Sequence, residues 1–92
     1  MKPIRWSAEK SLSLKAERGV SFEEVLSAIS QGGLLSVMNH PNRAKYGHQK
    51  MLVVRIRDYA YLVPYVESEN EFFLKSILPS RKATRAFLSG DK

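Results

Sequence analysis

Apolar residues recur with one period in the first third of this chain and with another in the rest. The exchange falls at Gly32-Gly33. Ahead of it, Phe22, Val25, Leu26 and Ile29 follow the i, i+3, i+4, i+7 spacing of one buried helical face. Ser21-Phe22-Glu23-Glu24 opens that segment as a capping box, in which serine and glutamate each satisfy the other's free amide. Val20 and Val25 form the matching hydrophobic staple, and Gly32-Gly33 predicts the stop. The earlier stretch Ala8 to Arg18 gives conflicting signals. Leu12, Leu14 and Ala16 alternate as in a strand, whereas the Ala, Glu and Lys around them favour helix. Ser7 as N-cap and Gly19 as stop decide for a helix. Pro3-Ile4-Arg5-Trp6 reads as a short strand or extended entry.

After the glycine pair the pattern is that of strands. Leu34 to Met38 is a short apolar run. Lys50 to Arg57, Ala60 to Glu67 and Glu71 to Leu78 are rich in β-branched and aromatic residues. Short turns at Asp58-Tyr59 and Ser68–Asn70 make these strands antiparallel neighbours. Residues 40–47, built on Pro41, Asn42 and Gly47, read as a polar loop. Pro64 predicts an edge position or a bulge, because proline cannot donate to a ladder. A closing helix starts near Ser80 and ends before Gly90. The expected fold is therefore an α+β sandwich, with two helices, an antiparallel sheet and a last helix.

The chain has 92 residues, 43% of them hydrophobic, which suffices for one domain spanning 1–92 with a modest core. It has no cysteine, hence no disulfide or thiolate metal site, and this suits a reducing, cytoplasmic setting. The segment from Met1 to Trp6 lacks the apolar centre of a signal peptide. No apolar run approaches the roughly 20 residues of a membrane span. Net charge is +6 and unevenly spread. No acid lies between Glu24 and Asp58, while that interval holds Arg43, Lys45, Lys50, Arg55 and Arg57. Segregated positive charge is the footprint of a polyanion binder, and an acidic protein could use the same patch.

The end of the chain concentrates this chemistry. In Pro79-Ser80-Arg81-Lys82-Ala83-Thr84-Arg85, Arg81 and Arg85 are four residues apart and share one helix face, where guanidinium groups can grip phosphate bidentately. The same residues would also serve as an ordinary solvated helix surface.

Two separated stretches resemble the BrnT toxins of bacterial type II toxin–antitoxin systems. One is Trp6, Lys10 and Arg18-Gly19-Val20-Ser21-Phe22-Glu23-Glu24. The other is the Ser80–Arg85 motif, reached from a strand. Pro79 and Leu14 depart from the family pattern, and residues 34–57 match it poorly. The resemblance, which spans residues 4 to about 88, implies a RelE-like fold and a small ribonuclease that arrests translation. It also implies a neutralising antitoxin, usually a DNA-binding protein of the ribbon-helix-helix kind.

RNA cleavage without a metal needs a base for the 2′-hydroxyl, an acid for the leaving 5′-oxygen, and cations for the phosphorane charge. By the resemblance, Arg81 and Arg85 are the phosphate contacts, and Lys50 and Glu67 stand where relatives carry a basic residue and a carboxylate. A histidine can titrate near neutral pH, and His48, beside Lys50, is either a catalytic acid or base or a polar loop group. Lys82, Arg43, Lys45, Arg55 and Arg57 are candidate RNA-positioning cations. Tyr59, Tyr61 and Tyr65 alternate along one strand; they either stack unpaired bases, Tyr65 foremost, or pack in the sheet. Trp6 is expected to pack under the helices. No metal site is expected, since His40 and His48 lack a third ligand in pattern, and no cofactor is implied. The expected partners are RNA and a cognate antitoxin. The alternative is a non-enzymatic basic module that binds nucleic acid or an acidic protein.

Overall fold

The computed structural model describes residues 2–39, 44–45 and 49–88. In chain order the elements are β1 (Ile4–Arg5), α1 (Ala8–Arg18), α2 (Phe22–Ser30), β2 (Leu34–Asn39), β3 (Gln49–Ile56), β4 (Tyr59–Glu67), β5 (Phe72–Leu74), β6 (Leu78–Pro79) and α3 (Arg81–Leu88). The fold is α+β. Its sheet is mixed: the strands run in the order β1-β5-β4-β3-β2, β6 pairs with β4 beyond β5, and the β1–β5 pair is parallel. Among the described residues no helix is long and apolar enough to cross a membrane.

The helix signals act as the residues dictate. The Ser7 hydroxyl accepts from the Lys10 amide at 3.2 Å, and Gly19 closes α1 in the left-handed region with φ 75°. Helical packing wins over the strand-like alternation in α1, because only Leu14 of the alternating set is buried while Leu12 stays 74% exposed. The capping box is complete: the Ser21 amide donates to Glu24 Oε2 at 2.9 Å, and the Glu24 amide to the Ser21 hydroxyl at 3.2 Å.

Alternation along the central hairpin sorts side chains onto two faces. Val54, Ile56, Val63 and Tyr65 join Leu14, Val20, Phe22 and Val25 in the larger core beneath α1 and α2. Val53 and Ala60 pack with Ala83 in a smaller core beneath α3. Trp6 meets Phe22 with ring centroids 6.0 Å apart, so it packs against the helical layer as expected.

Four expectations need correction. The sheet is mixed rather than antiparallel, because the β1–β5 pair is parallel. Pro64 lies at neither an edge nor a bulge: β4 is flanked on both sides, and its register with β3 is unbroken from Gln49↔Val66 to Ile56↔Tyr59. The carbonyl of Pro64 accepts from the Lys75 amide at 2.8 Å, so the nitrogen of Pro64 also faces that side. There β5 has ended and β6 has not begun, and no ladder donor is lost. Next, Glu71 to Leu78 is two strands rather than one. Between them Ile77 turns fully into the core, and its carbonyl accepts from Arg18 Nη1 at 2.9 Å. Lastly, the hairpin turn is Arg57-Asp58, since Tyr59 already pairs with Ile56. Arg57 takes φ 59°, which costs a non-glycine residue about 1–2 kcal/mol. Its guanidinium is held by Glu24 Oε1 and the Gly19 carbonyl, each at 3.3 Å.

Candidate nucleic-acid interface

The α3 end is assembled from backbone outward. The Ser80 amide donates to the Ala60 carbonyl at 3.0 Å, continuing the β4–β6 ladder into the helix start. The Ser80 hydroxyl then caps the helix by accepting from the Ala83 amide at 3.0 Å. Thr84 fastens α3 to the sheet: its Oγ1 accepts from the Ala60 amide and donates to the Ser80 carbonyl, both at 2.8 Å. With Ala83 buried and Thr84 engaged, the remaining sides carry Arg81, Lys82 and Arg85, all exposed. The helix contains no acid. Among the described residues the side chains of Arg81 and Lys82 form no hydrogen bond or ion pair.

Arg55 joins this group. It pairs with Ala60 across the sheet and follows Val53 by two, so it emerges on the α3 face. Its Cα lies two strand spacings from Ser80, about 10 Å. It too is exposed and without an ionic partner among the described residues.

The other expected residues lie elsewhere. Lys50 pairs with Tyr65, and Glu67 follows Tyr65 by two, so these three share the face covered by α1 and α2. They sit at the far end of the hairpin: from Ala60 to Glu67 is seven residues of β4, about 23 Å. Lys50 and Glu67 line an open concavity with Lys2, Ser68 and Glu69. Lys2 Nζ donates to Glu67 Oε2 at 2.6 Å and to the Ser68 carbonyl at 2.7 Å. That bond, and then the charges of Lys2 and Lys50, holds the Glu67 carboxyl below the ordinary carboxylate range. A depressed carboxylate is a poor proton acceptor near neutral pH. The structure therefore does not bring Arg81 and Arg85 together with Lys50 and Glu67.

Tyr65, expected to meet substrate, is a core residue instead. It is 7% exposed, and its ring meets Phe72 edge-on with centroids 5.8 Å apart. Burial, with a lesser push from Glu67, raises its phenol. Tyr59 and Tyr61 do share its side of the strand, as their alternation required, and contact each other at 5.6 Å. Arg57 is committed to Glu24 and Gly19. Lys45 is exposed and engaged in an interaction of its own. Arg43 and His48, like His40, lie outside the described residues.

Lys2, Thr84 and Arg18 were not among the expected functional residues, and each acts across a long sequence separation. Only the Ser80–Thr84 spacing carried a local signal, as an N-cap followed by a hydroxyl one turn on. Among the described residues no three His, Cys, Asp or Glu side chains form a group that could hold a metal. No protein-family model, curated protein or solved structure matches the chain.

Proposed function

We propose that this chain is the toxin of a type II toxin–antitoxin pair, with a RelE-like fold, and that it cuts single-stranded RNA without a metal. The observation that carries this reading is α3: a capped helix, fastened to the central strand, whose first turn presents Arg81 and Lys82 without a neutralising partner among the described residues. The likeness of the two sequence motifs to BrnT toxins supplies the reaction class.

In such a reaction the 2′-oxygen of a nucleotide attacks its own 3′-phosphorus. A base takes the hydroxyl proton, the 5′-oxygen leaves with a proton from an acid, and a 2′,3′-cyclic phosphate forms. Arg81 and Arg85 would hold the non-bridging oxygens as charge accumulates on them. Arg55, whose Cα lies about 10 Å from that of Ser80 at the helix start on the same face, suits a neighbouring phosphate, and Lys82 adds positioning charge. An acidic antitoxin surface is the natural cover for such a patch.

A second reading keeps the RNA and drops the chemistry. The distance from α3 to Lys50 and Glu67, and the Lys2 bond that occupies the Glu67 carboxylate, favour a module that binds nucleic acid or an acidic protein and does not cut.

Induction in a bacterial host separates the two. The toxin reading expects growth arrest, with RNA decay that persists in EDTA; normal growth with intact RNA selects the binding module. Arg81→Ala and Arg85→Ala should each slow cleavage about 10²-fold or more, as loss of a transition-state hydrogen bond typically does. Lys82→Ala should weaken RNA binding and reduce its salt slope by about 1.

A further inference from the structure

Among the described residues the Tyr65 hydroxyl makes no hydrogen bond, although the residue is only 7% exposed and its ring is set edge-on to Phe72. A buried phenol normally has a partner, because losing water without replacement costs free energy. Tyr65 lines an apolar groove of about 170 Å³ that crosses the helix-covered face of the sheet. The walls run from Ile4 on β1 through Phe72 and Leu74 on β5 and Leu52 on β3 to Leu34 on β2, with Ile29 of α2 beside them. Every lining side chain except Tyr65 is a hydrocarbon. A lone water is poorly held in such a place, since it needs about two to four polar partners. The groove ends at a cation. Lys50 pairs with Tyr65 across the sheet, and Leu52 of the groove follows it by two, so Lys50 stands on the same face. It is exposed, and among the described residues its side chain forms no hydrogen bond or ion pair. The nearby Glu67 carboxylate is taken by Lys2 at 2.6 Å, and Glu69 lies out on the turn after β4.

We infer that this groove is a binding site for a small monocarboxylate with an apolar body, about six to eight carbons in all. Size sets the body: an apolar cavity of about 150 Å³ takes one benzene ring. The donors set the head. The phenol can donate and the ammonium can only donate, so the ligand has to present acceptors, and a carboxylate does so with complementary charge. Directly opposed residues in a sheet have Cβ atoms about 5 Å apart, so one head group can meet both side chains. An aliphatic chain and a single ring suit the same walls, and the probes below separate them. Neither Arg81 nor Arg85 takes part, and the site does not depend on RNA cleavage.

The test uses the whole chain, with hexanoate and phenylacetate as probes and the matching amides and amines as controls. Methyl NMR reads Ile4, Ile29, Leu34, Leu52 and Leu74. Saturable shifts at these methyls are expected, with the carboxylate held about 10-fold or more tighter than its amide or amine. The tighter of the two carboxylates tells whether chain or ring is preferred. Tyr65→Phe keeps the ring and should weaken carboxylate binding about 10-fold. It should leave the urea midpoint no lower, since the lost hydroxyl has no partner in the fold. Lys50→Gln, at an exposed position, should erase the preference for carboxylate over amide. No saturable shift at about 10 mM of either carboxylate, equal binding of acid, amide and amine, or unchanged affinity in Tyr65→Phe would overturn the proposal. So would a lower urea midpoint for Tyr65→Phe, since the hydroxyl would then be bonded inside the fold.

Discussion

The two faces of the sheet are built to different standards. Under α1 and α2 lie ten buried core residues, from Leu14 to Ile77. Polar groups there are satisfied inside the fold: the buried Ser11 hydroxyl donates to Glu23 Oε1 at 2.7 Å and accepts from the Phe22 amide at 3.0 Å. Glu24 ties α1 and the hairpin turn together through Lys15 and Arg57. Under α3 the buried cluster is Val53, Ala60 and Ala83, and one threonine provides the side-chain fastening. The cations on the first face that touch acids serve the fold, whereas Arg55, Arg81 and Lys82 on the second meet no acid among the described residues. Structure is concentrated on one side and available charge on the other.

That contrast can be broken at measured points. Phe22→Ala should be the most damaging change, costing about 3–5 kcal/mol in urea unfolding, because a fully buried ring leaves a cavity in the main core. Two substitutions that each orphan a buried amide should differ in reach. Ser11→Ala strands the Phe22 amide and should lower global stability by about 1–3 kcal/mol. Thr84→Val strands the Ala60 amide and should act locally, speeding exchange across 81–88 while the amides of β3 keep their protection. If both faces exchanged together, the contrast would be false.

A smaller effect is expected from acid. Glu24 is lowered from 4.5 to about 2, chiefly by Lys15 and against the opposing effect of burial, with help from the Ser21 amide and Arg57. The unfolded chain therefore binds this proton more readily. Its contribution to stability is whole above about pH 4.5 and disappears as pH falls towards 2. Urea midpoints should fall across that window, and Glu24→Gln should flatten the slope. Smallest of all, Arg81→Ala should change stability by about 0.5 kcal/mol or less. A larger loss would mean that Arg81 works for the fold.

Much of the first face was legible in the residues. Ser7, Gly19 and the Ser21–Glu24 box are local devices, and local devices survive translation into structure. So does the alternation that put Val54 and Val63 on one side and Val53 and Ala60 on the other. What escaped is non-local. At the division of 71–78 into β5 and β6, Ile77 is buried in the core and its carbonyl is met by Arg18, fifty-nine residues away. The tie between Lys2 and Glu67, sixty-five residues apart, made a presumed catalytic carboxylate into an anchor for the start of the chain. Tyr65 looked like a stacking platform because alternation gives a face but does not say what covers it. At the candidate site, Arg81 and Lys82 could be read as exposed from the absence of apolar neighbours at helical spacing. Their distance from Lys50 could not, since only strand register fixes it.

Pro64 carries a consequence for how the molecule comes apart. Opposite it β4 changes partner, with β5 and β1 on one side of the break and β6 with α3 on the other. The sheet thus has a seam running across its central strand, where no ladder bond ties the two attachments to each other. Crossing the seam are a few residues of chain, Lys75 to Ile77, held by the Lys75 amide on the Pro64 carbonyl and by Arg18 on the Ile77 carbonyl. The basic helix with its short strand and the β5–β1 pair are thus attached to β4 through separate ladders, so neither attachment depends on backbone bonds to the other.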